Sequence, residues 1–179
     1  MKRIDTPLKD CFILEPQVFE DERGYFYESF NQRTFNELCG QETHFVQDNQ
    51  AKSNYGIIRG LHFQTGEYAQ AKLVRVLQGK VLDVVVDLRP ESPTYRQQYA
   101  IELSPENKLQ LFVPRGFAHG YSVLEDDTVF FYKCDNFYQK SAEGGLYVFD
   151  EILAIDWKVS THHAVLSDKD KVLPRLSEM

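Results

Sequence analysis

Valine, isoleucine, phenylalanine and tyrosine recur along this chain in short runs, many alternating with polar residues and separated by turn-forming residues. The segments 11–18, 25–30, 70–77, 80–88, 97–103, 109–113, 119–124 and 128–135 are predicted strands. Between them fall turn signals such as Gln78-Gly79, Pro90-Glu91-Ser92-Pro93 and Pro105-Glu106-Asn107. Helical signal is confined to Asn31 through Gly40, which carries an asparagine cap and a terminal glycine, and to a turn near Ser167 that opens a second short piece. So many short strands with so little helix predict an all-β jelly-roll sandwich or barrel with a few short helices.

Period two sorts the polar residues within those strands. Asp83 and Asp87 share a face with Val81 and Val85, whereas Leu82, Val84, Val86 and Leu88 share the other, so acids beside valines mark a cavity wall. Lys72 aligns with Val74 and Val76, and Tyr132 with Phe130 and Cys134, which sets a tunable ionisable group on an otherwise apolar face. Strict alternation places Arg59 opposite His62. Gly60 between them permits a bulge that brings both inward.

A chain of 179 residues with no internal repeat or composition break fits one domain, residues 1–179. A net charge of −7 and a pI near 5.2 argue against a general nucleic-acid surface but leave room for a local basic pocket for a small anion. Cys11, Cys39 and Cys134 are odd in number and widely spaced, which fits reduced thiols in a cytoplasm. The start lacks an apolar leader, and no run approaches the roughly 20 apolar residues that span a bilayer, so a soluble cytoplasmic protein is expected.

Gly56-Ile57-Ile58-Arg59-Gly60-Leu61-His62-Phe63-Gln64 and Val113-Pro114-Arg115-Gly116-Phe117-Ala118-His119-Gly120 resemble the two signature turns of a cupin barrel with most metal ligands missing. Gln64 stands where a second histidine is usual. One histidine per motif in a polar cavity points to acid–base chemistry, and no metal is expected. His162 and His163 are adjacent and lack a third ligand, so no metal site is expected there either.

The longer series Asp21-Glu22-Arg23-Gly24-Tyr25-Phe26, Phe45-Val46-Gln47-Asp48-Asn49, Arg59-Gly60-Leu61-His62, Gln70-Ala71-Lys72-Leu73-Val74-Arg75, Gly116-Phe117-Ala118-His119-Gly120 and Tyr132-Lys133 resembles the dTDP-4-dehydrorhamnose 3,5-epimerase family. The likeness runs in order from the N-terminus to Lys169-Asp170. It implies a cofactor-free homodimer that inverts C3 and C5 of dTDP-4-dehydro-6-deoxy-D-glucose to give dTDP-4-dehydro-L-rhamnose, with no nucleic acid or membrane partner. By this resemblance His62 is the base, Tyr132 the acid, Lys72 the cation at the enolate oxygen and Asp170 the carboxylate that orients the histidine. Ser167-Asp168-Lys169-Asp170 also reads as a capping box, and Asp83 remains the alternative partner for His62.

The same resemblance makes Arg23, Arg59, His119 and Lys169 substrate contacts suited to a diphosphate. Glu28, Gln47, Asp48, Asn49 and Glu143 match other substrate contacts, and Tyr138 matches the aromatic that stacks on thymine. Arg23 and Glu28 reach across the dimer in the family, which makes the strand at 25–30 an exchanged edge strand. Ala51 and Arg96 depart from the family's usual serine and glycine. Two alternatives from the same scaffold are a single-centre epimerase and a 3,4-ketoisomerase. A cupin that only binds nucleotide sugars would not need the base, acid and cation set, and Gln64 argues against a metal-dependent cupin oxygenase.

Overall fold

The computed structural model describes residues 1–179. Its strands are β1 (Lys2–Asp5), β2 (Phe12–Glu15), β3 (Phe19–Asp21), β4 (Gly24–Phe26), β5 (Gln47–Ser53), β6 (Ile58–Gln64), β7 (Lys72–Gln78), β8 (Val81–Asp87), β9 (Gln98–Leu103), β10 (Gln110–Val113), β11 (Phe117–Val123), β12 (Thr128–Cys134) and β13 (Glu143–Gly145). One helix, α1 (Gln32–Cys39), lies between β4 and β5. A six-stranded sheet in the order β1-β2-β10-β7-β12-β5 faces a five-stranded sheet in the order β13-β6-β11-β8-β9, and β3 pairs with β4 in a separate hairpin. The expected all-β jelly-roll sandwich is what the chain forms.

Alternation decides what each sheet buries. Val74, Val76, Val81, Val85, Tyr121 and Phe130 meet in the core between the sheets. The intervening residues of β8, Leu82, Val84 and Val86, point the other way and pack with Trp157 and Leu176 of the C-terminal segment. Both faces of β8 are therefore covered, which explains its nearly continuous apolar run. On the far side of the six-stranded sheet, Phe12, Leu73 and Phe112 pack against Phe35 of α1. Full burial of Phe35 contributes about 2 kcal/mol. Asn31 caps that helix by accepting the amides of Arg33 and Thr34 at 3.0 and 3.2 Å, and Gly40 ends it at φ 76°.

Two expectations need correction, and one strand beside the site lay outside the predicted segments. The strand predicted over 25–30 is confined to Gly24–Phe26, because only β3 is available to pair with it. The turn at Ser167 leads to a 3-10 turn at Asp170–Val172 and not to an α-helix. β5 was not predicted: its sequence QDNQAKS holds one apolar residue, and it becomes a strand by pairing with β12 from Thr128↔Ser53 to Cys134↔Gln47.

Asp87 closes the end of β8. Its carboxylate accepts from the Arg89 side chain at 2.8 and 2.9 Å, from the Arg89 amide at 3.0 Å, and from Ser92 and Thr94 at 2.5 and 2.7 Å. Burial alone raises its pKa, but these donors outweigh it and bring the value from 3.8 to about 2. The folded value is depressed, so the stabilisation is complete above the ordinary 3.8 and disappears as pH falls through about 2. Asp87→Asn is expected to cost on the order of 2 kcal/mol at pH 7. Thermal melts should show that gap intact above pH about 4 and closing toward pH 2.

Candidate active site

The cavity between the sheets measures about 420 Å³ and is lined by Arg59, His62, His119, Tyr121, Tyr132 and Asp170, among others. Hollows of about 520 and 580 Å³ elsewhere on the molecule contain none of these residues. His62 and His119 are register partners on β6 and β11. One pairing further along, Arg59 stands opposite Tyr121, so three residues of β6 match two of β11. That bulge turns both Arg59 and His62 into the cavity. It depends on close backbone approach: a Cβ on Gly60 would lie 2.6 Å from Gly120 Cα, and one on Gly120 would lie 2.6 Å from the Arg59 carbonyl oxygen.

Each histidine has its own carboxylate. His62 Nε2 lies 2.6 Å from Asp170 Oδ1, and Asp170 is 3% exposed. Burial pushes the Asp170 pKa up, but the hydrogen bond and charge of His62, with help from Ser167 and the Gly60 backbone, hold it below the ordinary carboxylate value. The Asp170 amide donates to Ser167 Oγ at 3.1 Å, so the turn capped by Ser167 also aims the carboxylate. His119 Nε2 lies 2.9 Å from Asp83 Oδ2. With Nε2 of His62 donating to Asp170, its Nδ1 lone pair is left to accept a proton.

Tyr132 enters from the other sheet, on β12. Burial, and secondarily Cys134, raise its pKa against the opposing pull of Arg59, so the phenol keeps its proton at neutral pH. Lys72 of β7 is the register partner of Cys134, and its ammonium lies 5.9 Å from the centre of the Tyr132 ring. Burial lowers the Lys72 pKa while Cys134 and Asp83 oppose the shift.

The other sequence-predicted residues divide by position. Lys169 lines the cavity and pairs with Glu143 at 2.6 Å. Chiefly because of Lys169, against burial and with help from Tyr138 and His62, the Glu143 carboxyl sits below its ordinary pKa. Tyr138 is exposed beside this pair, with its amide donating to Gln47 Oε1 at 3.2 Å. Gln47 and Asn49 are register partners of Cys134 and Tyr132, and the Asn49 amide lies 3.7 Å from Cys134 Sγ. Asp48 points to the opposite face, where it pairs with Lys133 at 3.0 Å. Arg23 and Glu28 are not brought to this cavity: Arg23 pairs with Asp21 on the exposed hairpin, and Glu28 accepts from Asn31 at 3.1 Å.

Gln64 is committed to holding loops. Its Nε2 donates to the carbonyls of Tyr68 and Phe137 at 2.8 and 3.2 Å, and its Oε1 accepts the Gln139 amide at 2.7 Å. Two side chains of the site escaped the sequence reading: Tyr121, which stacks on Phe130 in the cavity wall with ring centres 4.0 Å apart, and Ser53, which accepts from Arg59 at 3.1 and 3.2 Å. Parity along β11 ties Tyr121 to the face of His119, but nothing local ties Ser53 to Arg59.

A two-sheet jelly roll whose interior carries two histidines on one sheet, each paired with a carboxylate, and a tyrosine and a lysine on the other is a cupin. The match of residues 5–178 to the dTDP-4-dehydrorhamnose 3,5-epimerases narrows the class. The chain belongs to the dTDP-4-dehydrorhamnose 3,5-epimerase family. The enzyme of that name from Salmonella typhimurium is 51% identical over 175 residues, 98% of this chain and 95% of its own length. The crystal structure of the Elizabethkingia anophelis dTDP-4-dehydrorhamnose 3,5-epimerase superposes with a TM-score of 0.96 at 57% identity, covering 99% of this chain and 97% of the other. A dTDP-6-deoxy-D-glucose-3,5-epimerase from Legionella pneumophila, solved in complex with dTDP-4-keto-L-rhamnose, gives 0.93 at 44% identity, covering 98% and 93%.

Proposed function

We propose that this chain is an isomerase that inverts C3 and C5 of dTDP-4-dehydro-6-deoxy-D-glucose, yielding dTDP-4-dehydro-L-rhamnose in dTDP-L-rhamnose biosynthesis. The observation that carries the reading is the origin of the two proton-handling groups: His62 projects from the five-stranded sheet and Tyr132 from the six-stranded sheet, into one cavity. Inversion at carbon needs proton removal on one ring face and return on the other, and a ring lying between the sheets meets one group on each face.

C3 and C5 both flank the C4 ketone, so loss of either proton gives an enolate with its charge on the C4 oxygen. His62 Nδ1 takes the proton from carbon, and Asp170 supports the imidazolium that results. Lys72 supplies positive charge to the enolate oxygen from the Tyr132 side of the cavity. Tyr132 then donates its hydroxyl proton to the opposite face of the carbon. His62 afterwards loses a proton to water and the phenolate regains one, so the catalyst is restored. Substrate and product have the same oxidation state, and the steps balance with no cofactor. Arg59 and Lys169, at the cavity wall, suit the diphosphate, and exposed Tyr138 suits the face of thymine.

Incubation with dTDP-4-dehydro-6-deoxy-D-glucose in D2O tests the reading, with NMR and mass analysis of the product. Deuterium is expected at both C3 and C5 of an L-rhamno product. Label at one centre only would make the chain a single-centre epimerase, and no label at all would leave a binding protein.

We read residues 1–179 as one domain of a homodimer working in the cytoplasm; no helix is long and apolar enough to cross a membrane. The β3–β4 hairpin supports the dimer. It exposes Phe19, Tyr25 and Phe26 by 57, 59 and 70%, an apolar surface that a second subunit would cover, and it carries Arg23 away from its own cavity. Mixed dimers of Arg23→Ala and His62→Ala chains should contain one intact site and regain activity lacking in either parent. Confirmed hybrids that stay inactive would refute sharing.

A further inference from the structure

Asp170 reaches His62 from a segment that belongs to neither sheet. Residues 165–176 run beside β6 and β13 as a strap held at both ends. At the first end Val165 donates to the Gly56 carbonyl at 2.9 Å and accepts from the Ile58 amide at 3.0 Å. In the middle, Leu173 packs directly on Gly145, where an added Cβ would lie 2.7 Å from its Cδ1, and Gly145 is the register partner of His62. At the far end the Tyr147 amide donates to the Pro174 carbonyl at 2.8 Å, and Leu176 is 1% exposed in the core under the five-stranded sheet.

One further side chain clips that far end by its backbone. Asp150 is 3% exposed, and its Oδ2 accepts the Leu176 amide at 2.8 Å. Its Oδ1 accepts the amides of Ile152 and Leu153 at 2.8 and 3.0 Å. Both oxygens are therefore used by backbone donors on two separate segments, and the carboxylate clips the strap to the loop after β13. Burial opposes ionisation, but these three amides, with Arg175 adding a smaller pull, keep the Asp150 pKa below its ordinary value. Asp150 is not part of the cavity wall, so any effect on the chemistry passes through the strap.

We propose that Asp150 is a positioning residue for the epimerisation: by holding the Leu176 amide it fixes the strap and so keeps the Asp170 carboxylate on His62. The inference rests on Asp170 orienting the base. An asparagine at 150 has one acceptor oxygen and one donor nitrogen, so one of the two anchored segments would face a donor with a donor. A small shift of the strap then misaligns the pair at 2.6 Å.

The test is a double-mutant cycle with kcat and KM measured on the dTDP-4-keto sugar. Asp150→Asn is expected to lower kcat about tenfold with KM within about twofold. Added to Asp170→Asn, the same change should alter kcat by less than about twofold, since the contact it protects is already gone. A general loss of fold quality would lower kcat by the same factor in both backgrounds and would overturn the proposal, as would a parental kcat for Asp150→Asn. If Asp150→Asn does not fold, Asp150→Ser in the full chain keeps one acceptor for the turn amides of Ile152 and Leu153, gives up the Leu176 amide and carries the same expectations. A parental kcat for Asp170→Asn alone would show instead that Asp170 does not orient the base, and the proposal would fall with that reading.

Discussion

In a His62→Ala enzyme, deuterium exchange and epimerisation at both centres should vanish together, with a loss of at least the ~10²–10⁴ that a positioned acid–base group supplies. No other group in the cavity is arranged to replace it. His119 is the nearest in kind and has its own carboxylate in Asp83, but it is buried more deeply, at 6% exposure against 37% for the His62 side chain. The substitution also leaves Asp170 buried without its charge-assisted partner. Exchange at C3 or C5 measured by NMR in D2O decides the matter. Exchange at the parental rate would move the base to another residue.

Tyr132→Phe is expected to separate the two halves of the reaction. His62, Asp170 and Lys72 remain, so a proton still leaves carbon, and deuterium returns from the same side with configuration retained. Inversion should fall by the same ~10²–10⁴. Burial raises the pKa of Tyr132 and so keeps the phenol protonated, which suits it to the donor's part proposed for it. Product configuration by NMR, compared with total deuterium by mass, reads both outcomes. Inversion at the parental rate would show that another group delivers the proton.

Much of this site was legible because period two survives in β7, β8, β11 and β12. It assigned Lys72, Asp83 and Tyr132 to apolar strand faces, and those faces meet in the interior. The odd spacing of Arg59 and His62 around Gly60 also carried the bulge. The partner of His62 was legible only as a choice between Asp83 and Asp170, and sheet order resolves it. β11 lies between β6 and β8, so Asp83 on β8 meets His119 on β11, while His62 turns to the strap for its carboxylate. No local pattern encodes that order. β5 was hidden for a different reason: its strand character comes from pairing with β12, and its own residues are nearly all polar. Arg23, on the exposed β3–β4 hairpin, and Glu28, just beyond it and held by Asn31, are the residues that the family likeness carries furthest from the cavity, and no pattern along the strand marks that distance.

Drawing His62 and Tyr132, the proposed base and acid, from opposing sheets has a consequence for how the protein tolerates change. Facing sheets stand about 10 Å apart, a thickness set by the side chains interleaved between them. Val74, Val76 and Val85 therefore act as spacers for a reaction they do not touch. Widening the gap would strand one group out of range of the sugar carbon, and narrowing it would let the imidazole and the phenol trade a proton with each other and bypass the substrate. The aliphatic filling of this sandwich is a calibrated gauge, and drift in its volume would register first as lost stereochemical fidelity.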